Sequence, residues 1–139
     1  MNDFENTGAD DSNIHGNGER ILLVDDDPTI LEWLEAFLSI YGYTVVCAPD
    51  AADALALFEQ KREDFDLLFT DVTLPKISGV ELAEQISNLR PEMPILIGSG
   101  YMNEEAFSLM TDSKRYPFMS KPYITDELLK TIKRSIEPL

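Results

Sequence analysis

Leu67-Leu68-Phe69-Thr70-Asp71 is a short apolar run that stops abruptly on a carboxylate; Val72-Thr73-Leu74-Pro75 follows, with a glycine at position 79. A strand buried on both faces reads as a continuous apolar run, and open α/β sheets place their chemistry at the carboxyl ends of such strands. Asp71 therefore stands where a reactive carboxylate would stand. Many strands also end on a turn-forming Asp, so this stretch by itself leaves both readings open. Three other strand ends decide between them.

Upstream, Ile21–Val24 reads as a first buried strand running into Asp25-Asp26-Asp27-Pro28. Asp27 before Pro28 is a helix start, with Asp as N-cap and Pro at the first helical position. Ile30, Leu31, Trp33, Leu34, Phe37, Leu38 and Tyr41 recur at helical spacing until Gly42, and the aromatics among them read as core or part-core residues. Tyr43–Ala48 reads as a second strand, and Pro49-Asp50 opens a second helix with Ala51, Ala54, Leu55 and Phe58 on one side. The third strand is expected over Asp66–Thr70, and Ser78-Gly79-Val80-Glu81 is a capping box for a third helix.

Downstream, Ile95–Gly98 reads as a fourth strand ending in Ser99-Gly100, and Met102–Thr111 as a weaker helix. Tyr116–Ser120 reads as a short fifth strand ending in Lys121-Pro122. Thr125 is the expected cap of a last helix with Asp126 and Glu127 in its first turn and Lys130, Lys133 and Arg134 toward its end, as the helix dipole favours. Strands alternating with helices imply a parallel sheet covered on both faces, and right-handed crossovers leave few topologies. The expected fold is α/β, a doubly wound, flavodoxin-like (βα)5 sheet of five strands in the order 2-1-3-4-5, which sets strands 1 and 3 side by side at the switch point.

The 139 residues fit one domain, and 44% hydrophobic with 27% charged residues is ordinary for a globular chain. Residues 1–19, rich in Asn, Asp, Gly and Ser, read as a disordered leader or a remnant, leaving 20–139 as the domain; His15 falls in the leader, where nothing would hold it. Cys47 alone excludes an internal disulfide, and with one His no soft metal site can form. A formal charge of −15 disfavours nucleic acid and anionic membrane surfaces. No apolar run approaches a membrane span and the N-terminus is not a signal peptide, so a cytoplasmic protein is expected.

On that sheet Asp25 and Asp26, ending strand 1, lie beside Asp71, ending strand 3, with Ser99 and Lys121 on the same rim. Clustered carboxylates repel, and the remedies are a raised pKa on one of them or a bound hard cation. Oxygen donors point to Mg²⁺ or Ca²⁺, and the neighbouring Lys favours Mg²⁺, which keeps its waters and works with phosphate oxygens. A carboxylate nucleophile, a divalent ion, a hydroxyl and a cation are the parts of phosphoryl transfer.

Val24-Asp25-Asp26-Asp27, Asp71-Val-Thr-Leu-Pro-Lys-Ile-Ser-Gly79, Ile97-Gly-Ser99-Gly-Tyr and Lys121-Pro122-Tyr resemble the receiver domain of two-component response regulators, over about residues 20–137. The resemblance implies a regulatory domain rather than an enzyme. It implies that Asp71 accepts a phosphoryl group from a histidine kinase or a histidine phosphotransfer protein. It further implies that Asp25, Asp26, Asp71 and the Thr73 backbone carbonyl hold Mg²⁺, that Ser99 and Lys121 meet the phosphoryl oxygens, and that the Lys121–Pro122 bond is cis. Phe118 falls at the place of a switching aromatic. Tyr101 and Thr73 fall where phosphoryl-group lifetime is set. Leu74 and Ser99 stand where Met and Thr are commoner.

Phosphorylation is expected to change how a downstream protein reads the face made by 102–111, the 116–120 strand and the last helix. No output domain follows Leu139, so the expectation is a stand-alone receiver or one excised from a larger protein such as a hybrid kinase. Two other functions compete with this one. Asp25-Asp26-Asp27-Pro28-Thr29 also satisfies the Asp-x-Asp-x-Thr signature of haloacid-dehalogenase-type phosphatases, with Asp25 as nucleophile and Asp27 as acid/base. That reading lacks a late acidic pair at a strand end and leaves Asp71 unused. A phosphorylation-independent interaction module on the same fold is the other, and a complete set of buried carboxylates argues against it.

Overall fold

The computed structural model of the chain describes residues 14–100 and 116–137. Five parallel strands, β1 (Arg20–Val24), β2 (Thr44–Ala48), β3 (Leu67–Asp71), β4 (Ile95–Ser99) and β5 (Phe118–Ser120), form one sheet in the order β2-β1-β3-β4-β5. Among the described residues the helices are α1 (Pro28–Ile40), α2 (Ala51–Gln60), α3 (Gly79–Leu89) and α4 (Thr125–Ile136), with a 3-10 turn at Arg62–Asp64. The expected strand order and the alternation of strands with helices are those of the structure. The helix expected over Met102–Thr111 lies outside the described residues. No helix among the described residues is long and apolar enough to cross a membrane.

The side-chain period of two along each strand divides the core into two layers. Leu22, Val24, Leu68, Ile95 and Ile97 face α2 and α3, meeting Ala54, Phe58, Leu82 and Ile86. Ile21, Leu23, Leu67, Phe69 and Leu96 face α1 and α4, meeting Leu34, Leu38, Leu128 and Ile132. Burying each such Leu, Ile or Phe contributes about 2 kcal/mol relative to leaving it in water. Trp33 departs from the core reading: it is 46% exposed and stacks on Phe37 with ring centroids 5.2 Å apart.

The strand ends shift by one or two residues from expectation. β3 runs one residue further than expected, so Asp71 itself pairs with Gly98 in the ladder. β4 includes Ser99, and β5 is shortened to Phe118–Ser120. The caps follow the sequence at three helices. Asp27 accepts from the Thr29 N–H, Asp50 from the Asp53 N–H, and Ser78 and Glu81 make a reciprocal capping box. At α4 the expectation is corrected: Thr125 is the first helical residue, Ile124 holds the cap position and no side chain caps the helix. Asp126 and Glu127 near the positive end of the helix dipole act in its place.

The end of the expected leader is also different. Ile14 is buried among the α1–α4 core residues. The Gly16 N–H donates to the Tyr41 carbonyl and the Gly18 N–H to the Gly42 carbonyl, both at 2.7 Å. His15 is held as well, its carbonyl accepting from Lys133 Nζ at 2.9 Å and its ring lying 5.0 Å from that of Tyr41. Gly42 adopts φ +94°, and a Cβ there would meet the Gly16 carbonyl, so the close crossing of the two backbones requires glycine.

Candidate functional site

The site grows from adjacent strand ends. The β1–β3 ladder pairs Val24 with Thr70, so the next residues, Asp25 and Asp71, stand side by side at the carboxyl edge of the sheet. The turn after β1 fixes three consecutive carboxylates differently. Asp25 is turned inward, 3% exposed, and its Oδ1 accepts from the Asp27 N–H at 3.0 Å. Asp27 spends its own carboxylate on capping α1, at 3.0 Å from the Thr29 N–H. Asp26, between them, stays exposed.

Lys121 enters from the opposite side. Its N–H donates to the Ser99 carbonyl at 2.9 Å, and the Lys121–Pro122 bond is cis. Its Nζ lies 2.8 Å from Asp25 Oδ2 and 3.5 Å from Asp71 Oδ2. The aliphatic stem passes over Gly100, where a Cβ would come within 2.6 Å of Lys121 Cδ. Gly100 is thus part of the path by which the ammonium reaches the acidic pair.

The β3–α3 loop closes the site from the third side. Gly79 packs on the end of β3: its N–H donates to the Val72 carbonyl at 2.8 Å, and a Cβ would lie 2.0 Å from the Asp71 carbonyl oxygen. Any larger residue would push the loop off the strand that carries Asp71. Within the loop Lys76 takes φ +74°, and the Ile77 N–H reaches back to the Pro75 carbonyl at 2.9 Å, a tight three-residue turn.

Asp71 is the electrostatically frustrated member. Its pKa is raised to about 6: burial is the largest cause, Asp25 and Asp26 add to it, and Lys121 works against it. For Lys121 burial works against the ammonium, but the hydrogen bond to Asp25 and the charges of Asp71 and Asp25 outweigh it and hold the group above its ordinary value. One oxygen from each of Asp25, Asp26 and Asp71 can be chosen so that all lie within 4.8 Å of one another. An all-oxygen set with one exposed member, opening on solvent, fits a hard divalent cation that keeps some of its waters, and does not fit zinc.

Asp25, Asp26, Asp71, Thr73 and Lys121 share one cleft of about 270 Å³, with Asp27 and Gly100. Ser99 does not line it; its hydroxyl is buried on β4 and has no hydrogen-bond partner among the described residues. A buried donor of that kind is costly unless something arrives to accept from it. Phe118 is half-buried and packs toward the α2–α3 layer, paired with Ile97 in the ladder. Tyr101 lies outside the described residues. Gly98 and Tyr123 were not singled out in the sequence, yet a Cβ at Gly98 would come within 1.9 Å of the Tyr123 hydroxyl. The one signal for this was two glycines flanking Ser99 at the end of a buried strand.

A parallel, doubly wound sheet with an acidic cluster and a lysine at its carboxyl edge places the chain among the open α/β proteins that keep their site at the strand ends. The sequence profile of the response regulator receiver domain matches residues 21–133, and the chain belongs to that family. It is 34% identical over 121 residues, 86% of its length, to the nitrogen assimilation regulatory protein NtrX of Azorhizobium caulinodans. It is 32% identical over 117 residues, 84% of its length, to the transcriptional regulatory protein GlrR of Escherichia coli K12. It spans about a quarter of each of these relatives, 26% in both cases. The CheY-like response regulator receiver domain protein of Methanospirillum hungatei superposes with a TM-score of 0.77 at 33% identity, covering 87% of this chain and 95% of that one.

Proposed function

We propose that the chain is a phosphoacceptor switch in which Asp71 takes a phosphoryl group from a phosphohistidine on a histidine kinase or a histidine phosphotransfer protein. The observation that carries this is the position of Asp71: at a strand end, in a cleft, within reach of two further carboxylates and 3.5 Å from Lys121. An Asp71 carboxylate oxygen attacks phosphorus, and the bond from phosphorus to the donor nitrogen breaks. Asp25, Asp26 and Asp71 would hold Mg²⁺ with the Thr73 carbonyl, and the ion would supply charge neutralisation for the transferring phosphoryl oxygens. Lys121 leaves Asp25 for a phosphoryl oxygen, and the unpartnered Ser99 hydroxyl donates to another.

The new charge and its acceptors draw Ser99 and Lys121 inward, and β5 follows because Lys121 continues directly from it. The reading face is 102–111, β5 and α4, with Phe118 as the aromatic that responds and a downstream protein as its reader. Surface substitutions there that leave partner binding untouched would sink that assignment. The phosphatase alternative is disfavoured because Asp27, its acid/base, is committed to the α1 cap.

The test is intact mass after incubation with Mg²⁺ and acetyl phosphate. One Mg²⁺-dependent phosphoryl group that disappears in Asp71→Asn is the expected result. Labelling that survives Asp71→Asn but not Asp25→Asn would transfer the reading to the phosphatase. No labelling in any variant would leave an interaction module.

A further inference from the structure

Tyr123 has no part in the scheme above, yet it is built into the same site. Its ring stands edge-on to Phe69, with centroids 5.4 Å apart and planes at 61°. Phe69 is two residues before Asp71 on β3, so the two side chains leave the same face of the sheet. The Tyr123 hydroxyl occupies the space that a side chain at Gly98 would take, 1.9 Å from where a Cβ would stand. Gly98 is the ladder partner of Asp71, and partners in a parallel pair project to the same side. The phenol oxygen therefore stands beside Asp71, one strand across. Burial, then the charges of Asp71 and Asp25, raise its pKa well above the ordinary tyrosine range, and no hydrogen bond contributes to that shift. Among the described residues it is an uncommitted donor next to the phosphoacceptor.

We infer that Tyr123 is a positioning residue for Asp71, its hydroxyl donating a hydrogen bond to the Asp71 carboxyl group when a phosphoryl group is attached and so shortening the life of that group. The inference rests on the phosphoacceptor reading. In the unphosphorylated chain Lys121 serves Asp25 and Asp71 together. Phosphoryl oxygens compete for that ammonium, which leaves the Asp71 carboxyl oxygens in need of another donor. In hydrolysis a water oxygen attacks phosphorus, the bond between phosphorus and the Asp71 oxygen breaks, and its electron pair returns to the carboxylate. The proton of the water leaves with inorganic phosphate or solvent. A donor held against the carboxyl group stabilises the charge returning to it. Gly98 is the condition for this: a methyl group there would evict the hydroxyl.

Four chains decide it: parent, Tyr123→Phe, Gly98→Ala and the double variant. Each is labelled with acetyl phosphate and Mg²⁺, the donor is removed, and the phosphorylated fraction is followed by intact mass beside the melting temperature. Tyr123→Phe is expected to lengthen the half-life about fivefold, the size of one hydrogen bond to a developing charge. Its melting temperature stays within about 2 °C of the parent, which separates positioning from loss of fold. Gly98→Ala is expected to lengthen the half-life similarly, and in the Tyr123→Phe background to add less than about twofold, since the hydroxyl it displaces is already gone. A Tyr123→Phe half-life within about twofold of the parent, or shorter than it, overturns the inference while leaving the phosphoacceptor reading intact. Should Gly98→Ala not fold, Tyr123→Phe decides alone, being smaller by one oxygen. A parent that takes no label removes both.

Discussion

Lys121 lies closer to Asp25 than to Asp71, at 2.8 Å against 3.5 Å, although the Asp71 side chain is the more exposed of the two, 11% against 4%. The lysine thereby neutralises the most buried acid and leaves Asp71 partly uncompensated, which is the state a nucleophile needs. Replacing Lys121 by Ala strands Asp25 at 3% exposure without its cation. We expect a loss of about 2 kcal/mol in metal-free chemical denaturation. Mg²⁺ is expected to stabilise the variant more than the parent, since an added cation then replaces the lost one. Equal stability of variant and parent in chelator would show that the pair carries no weight.

The pKa of Asp71 makes a signed prediction. An acid raised to about 6 in the folded chain, from 3.8 when unfolded, holds its proton more readily folded than unfolded. Stability of the metal-free protein therefore falls as pH climbs from about 4 to about 6, and the full cost is present above that window. Asp71→Asn has no charge to bury and so escapes this cost. It should exceed the parent by about 2 kcal/mol at pH 8 and converge with it near pH 4. Denaturation midpoints of the two chains across that range check it, and a constant difference would refute it.

The sheet was readable because each strand here is a closed apolar run bounded by turn residues, and the clustered carboxylates and the lysine stand at the ends of those runs. Asp25, Asp71 and Lys121 were legible for that reason alone. What the sequence hid were relationships between backbone and side chain across distant segments. Nothing in the string Gly98-Ser99-Gly100 says that the first glycine accommodates Tyr123 and the second Lys121; only the parallel register brings those segments together. Ile14 was invisible for a different reason. One apolar residue among polar neighbours has no periodicity, and its burial depends on the corner formed by Tyr41, Gly42 and α4. The missing side-chain cap at α4 was masked by Thr125, a good capping residue placed one position too late.

Lys76 is the one non-glycine residue with positive φ among the described residues, at +74°, inside a turn closed from Ile77 to Pro75. A side chain there strains the backbone, while glycine adopts the conformation freely. Lys76→Gly is expected to raise stability by up to about 1 kcal/mol, the relief of strain outweighing the added freedom of the unfolded chain. Urea denaturation measures it. A destabilised variant would mean that the Lys76 side chain has a partner worth more than the strain.

The docked segment before β1 gives the last prediction. Ile14 fills a position 5% exposed against the α1–α4 layer, and Lys133 ties the adjacent His15 carbonyl to α4. Truncating Ile14 to Ala should cost about 2 kcal/mol through lost burial and the space left behind. The loss should be local in origin. Amides of α4 and the α1–β2 corner, which the segment bridges, are expected to exchange faster with deuterated water, while β3 keeps the protection of the global fold. Starting the chain at residue 19 should reproduce both effects. An unchanged midpoint in either variant would show that the segment rests on the domain without holding it, and that Leu128, Leu129, Ile132 and Ile136 seat α4 without its help.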